Sequence, residues 1–146
     1  MKIYPSQTGI WIDDKMYPDT DIAYVEITNA KESALRLFAV NILDIFGEKH
    51  EIYCALDKSK AIEIFNSIKD KLIAKEDYID LNKIVLNMST LTDMHESVIN
   101  LNKACICIIF GKYKRFINIS NRKKLKAAMN QYKSYKKKIQ EIDKSI

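Results

Sequence analysis

The chain has 146 residues, of which 47% are hydrophobic and 29% charged, and its formal net charge is +5. These values are typical of one compact globular body and do not indicate a disordered chain. The longest strongly apolar stretch, residues 104–110, is far shorter than the roughly 20 residues that a membrane-spanning helix needs, and the amino terminus has no apolar signal-peptide run. We therefore expect a cytoplasmic protein without a membrane partner.

The first part of the chain predicts five strands and a helix. Period-two apolar patterns predict strands at residues 9–13, 15–18, 21–27, 35–46 and 51–55. The Asp13-Asp14 pair suits the turn of a leading hairpin. At Asp57 the apolar period changes to 3.6, and the Asp57 side chain can cap a helix that runs to about residue 74.

The order of these elements resembles the bacterial pleckstrin-homology-like domains over residues 8–74. The resemblance is carried by the segments GIWIDD, KMYP and DIAYVEI, followed by a hairpin and a closing helix. Those domains place a seven-stranded curved sheet before the helix, whereas at most five strands are predicted here. The resemblance implies an adaptor-type scaffold that binds through loops or a sheet edge, and because no functional motif matches, no lipid-binding residues are carried over.

The second part repeats the end of the first at a constant offset of 64 residues. The tripeptide Ile-Phe-Gly occupies residues 45–47 and again 109–111, and a gapless comparison through residue 71 contains six identities in 27 positions, where composition gives about two. The apolar helix positions correspond as well: Ala61, Ile64, Phe65 and Ile68 face Leu125, Ala128, Met129 and Tyr132. The second copy predicts strands at residues 80–86, 103–110 and 114–119 and a helix from Ser120 or Asn121 to about residue 142.

We therefore predict an α+β fold of two strand-strand-helix repeats, rich in antiparallel strands, that form one compact body with two main helices. Repeat unit 1 is predicted at residues 1–76 and repeat unit 2 at residues 77–146. The long strands ending in the two Ile-Phe-Gly segments are apolar on both faces, which is typical of central strands. Gly47 and Gly111 are predicted to occupy turns with positive φ.

The usual catalytic motifs are missing from the sequence. Three scattered glycines cannot build a GxxxxGK[ST] or GxGxxG phosphate loop, and GxSxG is absent. The three cysteines, Cys54, Cys105 and Cys107, are predicted to be buried thiols within strands of a protein in a reducing compartment. His95 is predicted in an exposed polar loop. We expect no catalytic residues, no cofactor and no metal.

One acidic group has the residue types of a hard-cation site. Its members are Asp13, Asp14, Asp19, Asp21 and Glu26. Solvated carboxylates in turns and at strand edges are the favoured interpretation. A nuclease pattern also fails, because Ile27 and Thr28 follow Glu26 where that pattern requires a lysine.

The positive charge is concentrated near the carboxyl terminus. Residues 1–100 carry 11 basic and 17 acidic side chains, whereas residues 101–146 carry 13 basic and 2 acidic ones. Across the repeat, Glu48 and Glu51 of the first copy correspond to Lys112 and Arg115 of the second. The predicted partner-binding surface comprises Lys112, Tyr113, Lys114, Arg115, Arg122, Lys123, Lys124 and Lys126. The competing interpretation is a solvated basic helix in a chain whose composition favours lysine.

These features favour a non-enzymatic protein whose basic second repeat docks on nucleic acid, a nucleoprotein or an acidic protein surface. Small lysine-rich chains of this kind are typical of the inhibitors and accessory proteins of phages and mobile elements. The alternative is a protein-protein adaptor, or a homodimer formed through strand edges, that binds no nucleic acid.

Overall fold

The computed structural model describes residues 1–32, 35–100, 103–119 and 121–145. This part of the chain contains eleven strands and two long helices, and its strand pairs are all antiparallel. The predicted β-rich α+β class is therefore confirmed. The strands are β1 Ile3–Pro5, β2 Gly9–Ile12, β3 Lys15–Pro18, β4 Ile22–Glu32, β5 Leu35–Asp44, β6 Lys49–Ala55, β7 Tyr78–Asp80, β8 Ile84–Asn87, β9 Asp93–Asn100, β10 Lys103–Phe110 and β11 Tyr113–Asn118. The helices are α1 Lys58–Ile73 and α2 Arg122–Ser145, and Met88–Thr90 form a single 3-10 turn.

The chain divides into two compact units, Met1–Thr90 and Leu91–Ile146. This boundary lies beyond the predicted one at residue 76, because residues 80–86 do not form one strand of the second repeat. Asn82 has φ of 78° and separates β7 from β8, and β8 then pairs with β4 of the first unit. A pairing between strands so far apart in sequence cannot be deduced from local periodicity.

The first unit contains a five-stranded sheet, a three-stranded sheet and α1. The large sheet has the order β6-β5-β4-β8-β7, and the small one is β1-β2-β3. The predicted hairpin of β2 and β3 is present, with Asp13 in its turn at φ of 53°. Gly9 is required in β2 because a Cβ atom there would lie 2.3 Å from the Tyr17 carbonyl oxygen.

Helix α1 begins and packs as its sequence predicts. The Asp57 carboxylate accepts a hydrogen bond from the Lys60 backbone N–H at 3.0 Å, which satisfies one of the free donors of the first turn. The buried side chains of α1 follow the spacing of a single helical stripe. They are Ala61, Ile64, Phe65, Ile68 and Leu72, and they share one core with Val25 and Val40 of the sheet.

The second unit is a three-stranded sheet in the order β11-β10-β9 together with α2. Phe110 pairs with Tyr113 across a two-residue turn in which Gly111 has φ of 54°, so a glycine suits the first turn position. The Lys123 backbone N–H donates to the Asn121 side chain at 2.9 Å, which confirms one of the two predicted caps, and Ser120 lies outside the described residues. The four predicted core positions of α2 are buried: Leu125, Ala128, Met129 and Tyr132.

The two units share a succession of three strands and a helix. The sheet order β6-β5-β4 followed by α1 corresponds to β11-β10-β9 followed by α2. The strand after the glycine starts at Lys49 and at Tyr113, which keeps the offset of 64 residues. The copies differ at the turn: Phe46 lies in a longer turn and is 67% exposed, whereas Phe110 ends a strand and is 2% exposed.

Candidate functional site

The predicted basic hairpin of the second unit presents its side chains on two faces. Lys112, Tyr113 and Lys114 are exposed and Arg115 is half-buried. Because successive side chains of a strand alternate between faces, Lys114 and Arg115 point to opposite sides of the sheet. Lys114 Nζ lies 5.8 Å from the centre of the Phe116 ring, on the same face as that ring.

The helical part of the predicted surface lies at the other end of β11. The turn at Lys112 precedes the strand and Arg122 follows it, and a six-residue strand is about 20 Å long. On α2, Lys123 and Lys124 are about 100° apart around the helix axis. The eight predicted residues are therefore not one continuous face, and the structure separates them into a hairpin group and a helix group.

Helix α2 carries a more regular arrangement of cations, which we call the basic row. Its members are Arg122, Lys126, Lys133, Lys137 and Lys144, and all of them are exposed. They follow one another at steps of four and seven residues, so at about 100° per residue they lie within roughly 60° of the helix circumference. With a rise of 1.5 Å per residue the basic row is about 33 Å long.

The charges around the basic row are strongly unbalanced. Helix α2 has nine basic residues and two acidic ones, Glu141 and Asp143, and both acidic residues lie outside the sector of the row. In the described part of the chain, no ion pair joins a carboxylate to a residue of the row. The unit itself, residues 91–146, has 13 basic and 4 acidic side chains, against 11 and 15 in residues 1–90. The basic row is thus a long, exposed concentration of positive charge.

Three members of the basic row were missed in the sequence interpretation, namely Lys133, Lys137 and Lys144. The steps of four and seven residues are visible in the sequence and could have identified them. Lys123 and Lys124, which were predicted as partner-binding residues, are exposed but lie outside the row.

Two members of the acidic group, Asp13 and Asp19, make structural contacts in the first unit, and Glu26 is buried rather than solvated as predicted. Asp19 accepts hydrogen bonds from the Lys75 ammonium at 2.8 Å and from the Tyr78 hydroxyl at 2.6 Å. Burial is the largest cause that raises the pKa of Tyr78 above its ordinary value. The hydrogen bond to Asp19 and the negative charge of that carboxylate raise this pKa further. Asp19 therefore ties the β3-β4 corner to the segment that follows α1. Asp13 stabilises a neighbouring strand, because its carboxylate accepts from the Lys2 backbone N–H at 2.9 Å.

A different trio in the described part of the chain has the composition of a metal-binding group: Asp44, Glu48 and His50. Asp44 Oδ1 accepts from the backbone N–H groups of Phe46 and Glu48, both at 2.9 Å, and Oδ2 lies 2.8 Å from His50 Nε2. Burial by itself raises the pKa of the Asp44 carboxyl, but the hydrogen bonds from His50 and from the two backbone groups lower it overall. Both Asp44 oxygens are thus used within the turn, and a metal ion would have to replace the contact with His50.

The thiols do not assemble a reactive centre. Cys105 and Cys107 are fully buried in β10, as predicted, and the Cys105 thiol donates to the Ser97 carbonyl oxygen at 3.4 Å. Cys54 is exposed, contrary to the prediction, because it lies on β6, which is an edge strand of its sheet. His95 lies in β9 rather than in a loop, and its ring is 2.7 Å from the Asp93 carboxylate.

No family model, curated protein or solved structure matches this chain. No functional residue can therefore be assigned from a relative, and the resemblance to pleckstrin-homology-like domains stays a prediction. Neither helix of the described residues is long and apolar enough to cross a membrane.

Proposed function

We propose that this chain is a non-enzymatic binding protein whose second unit docks on nucleic acid through the basic row of α2. The observation that carries the proposal is the alignment of five exposed cations along about 33 Å of one helix face. Four further lysines of α2 lie at other angles around the helix, as a compositional excess of lysine would place them. The five cations of the row repeat along one direction, as the phosphates of a nucleic acid do.

A single strand fits this arrangement better than a duplex. The basic row is straight, whereas each strand of a duplex curves away around the helix axis, and a flexible single strand can follow the whole row. The hairpin of the same unit adds one exposed ring for base stacking, because Phe116 is 47% exposed and lies on the same face of β11 as Lys114. A cytoplasmic location is part of the proposal, and the three free thiols are compatible with it.

The proposal is tested by fluorescence anisotropy with a labelled single-stranded oligonucleotide at several salt concentrations. If all five cations contact phosphates, log Kd should change with log salt at a slope of about 3.5, which is roughly a 130-fold loss of affinity between 50 and 200 mM salt. The double substitution Lys126→Gln with Lys137→Gln should lower the slope to about 2.1.

The matched control is Lys123→Gln with Lys124→Gln, which removes the same charge from the same helix outside the row. It should leave the slope nearly unchanged. Equal effects of the two double variants would show that binding depends on net charge alone and would reject the basic row. No binding to single-stranded or duplex DNA at 50 mM salt would reject nucleic acid as the partner and leave the adaptor or homodimer alternative.

A further inference from the structure

The first unit has a cavity of about 340 Å³ beside α1. It lies between the helix, the paired strands β4 and β5, and the turn that joins β7 to β8. Its volume is at the lower end of the range for small-molecule sites. A molecule of nucleotide size or smaller could therefore bind there with part of its surface open to solvent.

The lining of this cavity combines cations with apolar walls. Its eleven residues include three lysines, Lys58, Lys69 and Lys83, and no aspartate or glutamate. Phe65 is buried at the base and Ile62, at 40% exposed, lies nearer the solvent. The first unit carries more acidic than basic side chains, 15 against 11, so this group of lysines does not follow from its overall charge.

In the described part of the chain, one of the three lysines has an ion-pair partner. Lys69 Nζ lies 3.3 Å from Asp80 Oδ1 and donates to the Asn82 carbonyl oxygen at 3.1 Å. Within the described residues, Lys58 and Lys83 have no ion-pair partner. The positive charge of these two side chains is therefore available to a ligand.

The turn that forms one wall is held in an unusual conformation. Asn82 has φ of 78°, and its backbone N–H donates to the Asp80 carboxylate at 2.8 Å. The Ile27 backbone N–H donates to the Lys83 carbonyl oxygen at 3.1 Å, which fixes the other end of the turn to β4. Asparagine adopts positive φ more readily than most other residues, and these two hydrogen bonds hold the turn in this conformation. The wall is thus formed before any ligand arrives.

We propose that this cavity binds a small molecule that carries an anionic group on a flat ring, with Lys58 and Lys83 at the anion and the side chains of Phe38 and Ile62 at the ring. A phosphate and a carboxylate are both suited to the lysines. The proposal concerns the first unit alone and does not depend on nucleic-acid binding by α2.

The test is titration of the full ¹⁵N-labelled chain, followed by amide chemical shifts, with AMP, benzoate, adenosine and inorganic phosphate as separate probes. AMP or benzoate should shift the amides of Asn66, Asn82 and Lys83 saturably, with a Kd on the order of 10 to 100 μM for AMP. Adenosine lacks the anion and phosphate lacks the ring, so each should bind at least about tenfold more weakly than AMP. Tighter binding of benzoate than of AMP would identify a carboxylate as the anion.

The double substitution K58E with K83E should raise the Kd of the better ligand by at least about tenfold, because it removes charge-assisted contacts. The matched control K49E with K60E makes the same change of charge at exposed positions of the same unit outside the cavity, and it should retain the affinity. The proposal is overturned if neither AMP nor benzoate shifts these amides at about 5 mM. It is equally overturned if phosphate alone binds as tightly as AMP. The same holds if the K58E/K83E variant and the K49E/K60E variant have equal affinity for the better ligand.

Discussion

Replacement of Asn87 by aspartate should unfold the first unit far more readily than its small chemical change suggests. Asn87 is fully buried, and its amide nitrogen donates to the carbonyl oxygens of Asp19 at 2.7 Å and Ile22 at 3.0 Å. Its side-chain oxygen accepts from the backbone N–H of Ser89 at 3.1 Å and from the Ser89 hydroxyl at 2.6 Å. All four hydrogen-bonding positions of the amide are therefore used.

The cost of Asn87→Asp can be worked out from these contacts. Both donors are lost, at about 1 kcal/mol each, and a carboxylate is buried against carbonyl oxygens, which adds about 2 kcal/mol or more. We therefore expect the free energy of unfolding to fall by about 3 to 5 kcal/mol at pH 7. The Ile22 carbonyl oxygen keeps one hydrogen bond in the variant, because the Thr90 hydroxyl donates to it at 2.8 Å. The fall in the free energy of unfolding should therefore stay within this range.

Urea denaturation followed by the fluorescence of Trp11, the one tryptophan of the chain, measures this loss within the first unit. The control is Asn66→Asp, which makes the same chemical change at an exposed position of α1 and should cost less than about 1 kcal/mol. The new buried carboxyl should have a folded-state pKa above its unfolded value, so its penalty should diminish as the pH falls through the folded-state pKa. Equal effects of the two substitutions at pH 7 would refute the interpretation of Asn87 as a buried, fully bonded amide.

Two further predictions concern the hairpin of β5 and β6 and the thiols. The folded-state pKa of Asp44 is lowered, so its contribution to stability is fully present above the unfolded pKa of about 3.9 and is lost as the pH falls through the folded-state pKa. Asp44→Asn should therefore show a shallower loss of unfolding free energy between pH 6 and pH 3 than the natural chain in urea titrations, and an unchanged slope would contradict the role of the carboxylate. Under native conditions an Ellman's assay should detect rapid reaction of Cys54 alone, with Cys105 and Cys107 reacting only on unfolding, and rapid reaction of all three would contradict their burial in β10.

The elements that could be predicted from the sequence are those whose signals are local. A capping aspartate and a 3.6-residue apolar period define α1, and the glycine at residue 111 defines the turn before β11. Strands β7 and β8 were predicted as one strand because Asp80–Leu86 has a continuous strand-like composition. The turn at Asn82 depends on the Asp80 carboxylate and on Lys69 of α1, and these contacts come only with the tertiary fold.

The two candidate sites also differ in how far local sequence could predict them. The basic row lies on a single helix, so its spacing is present in the sequence and needed only the helical geometry to be recognised. The cavity is lined by four separate segments of the chain, and Lys83 lines it together with Lys58 because β8 pairs with β4. The sequence prediction also placed Lys114 and Arg115 in one surface because they are adjacent in the chain. In the structure they lie on opposite faces of β11.

The repeat relates the two sites in sequence, because the basic row and the cavity lining lie on corresponding faces of α2 and α1. At the offset of 64 residues, the residues of α1 that correspond to the row are Lys58 for Arg122, Ile62 for Lys126, Lys69 for Lys133 and Ile73 for Lys137. Three of these α1 residues line the cavity, namely Lys58, Ile62 and Lys69. The first helix alternates cations with isoleucines on this face, which suits a small molecule with a charged and an apolar part. The second helix has a cation at every one of these positions, which removes the apolar contact and suits a long, solvated anion. At these four positions α2 carries two more cations than α1, so this helix face contributes a part of the difference in charge between the two units.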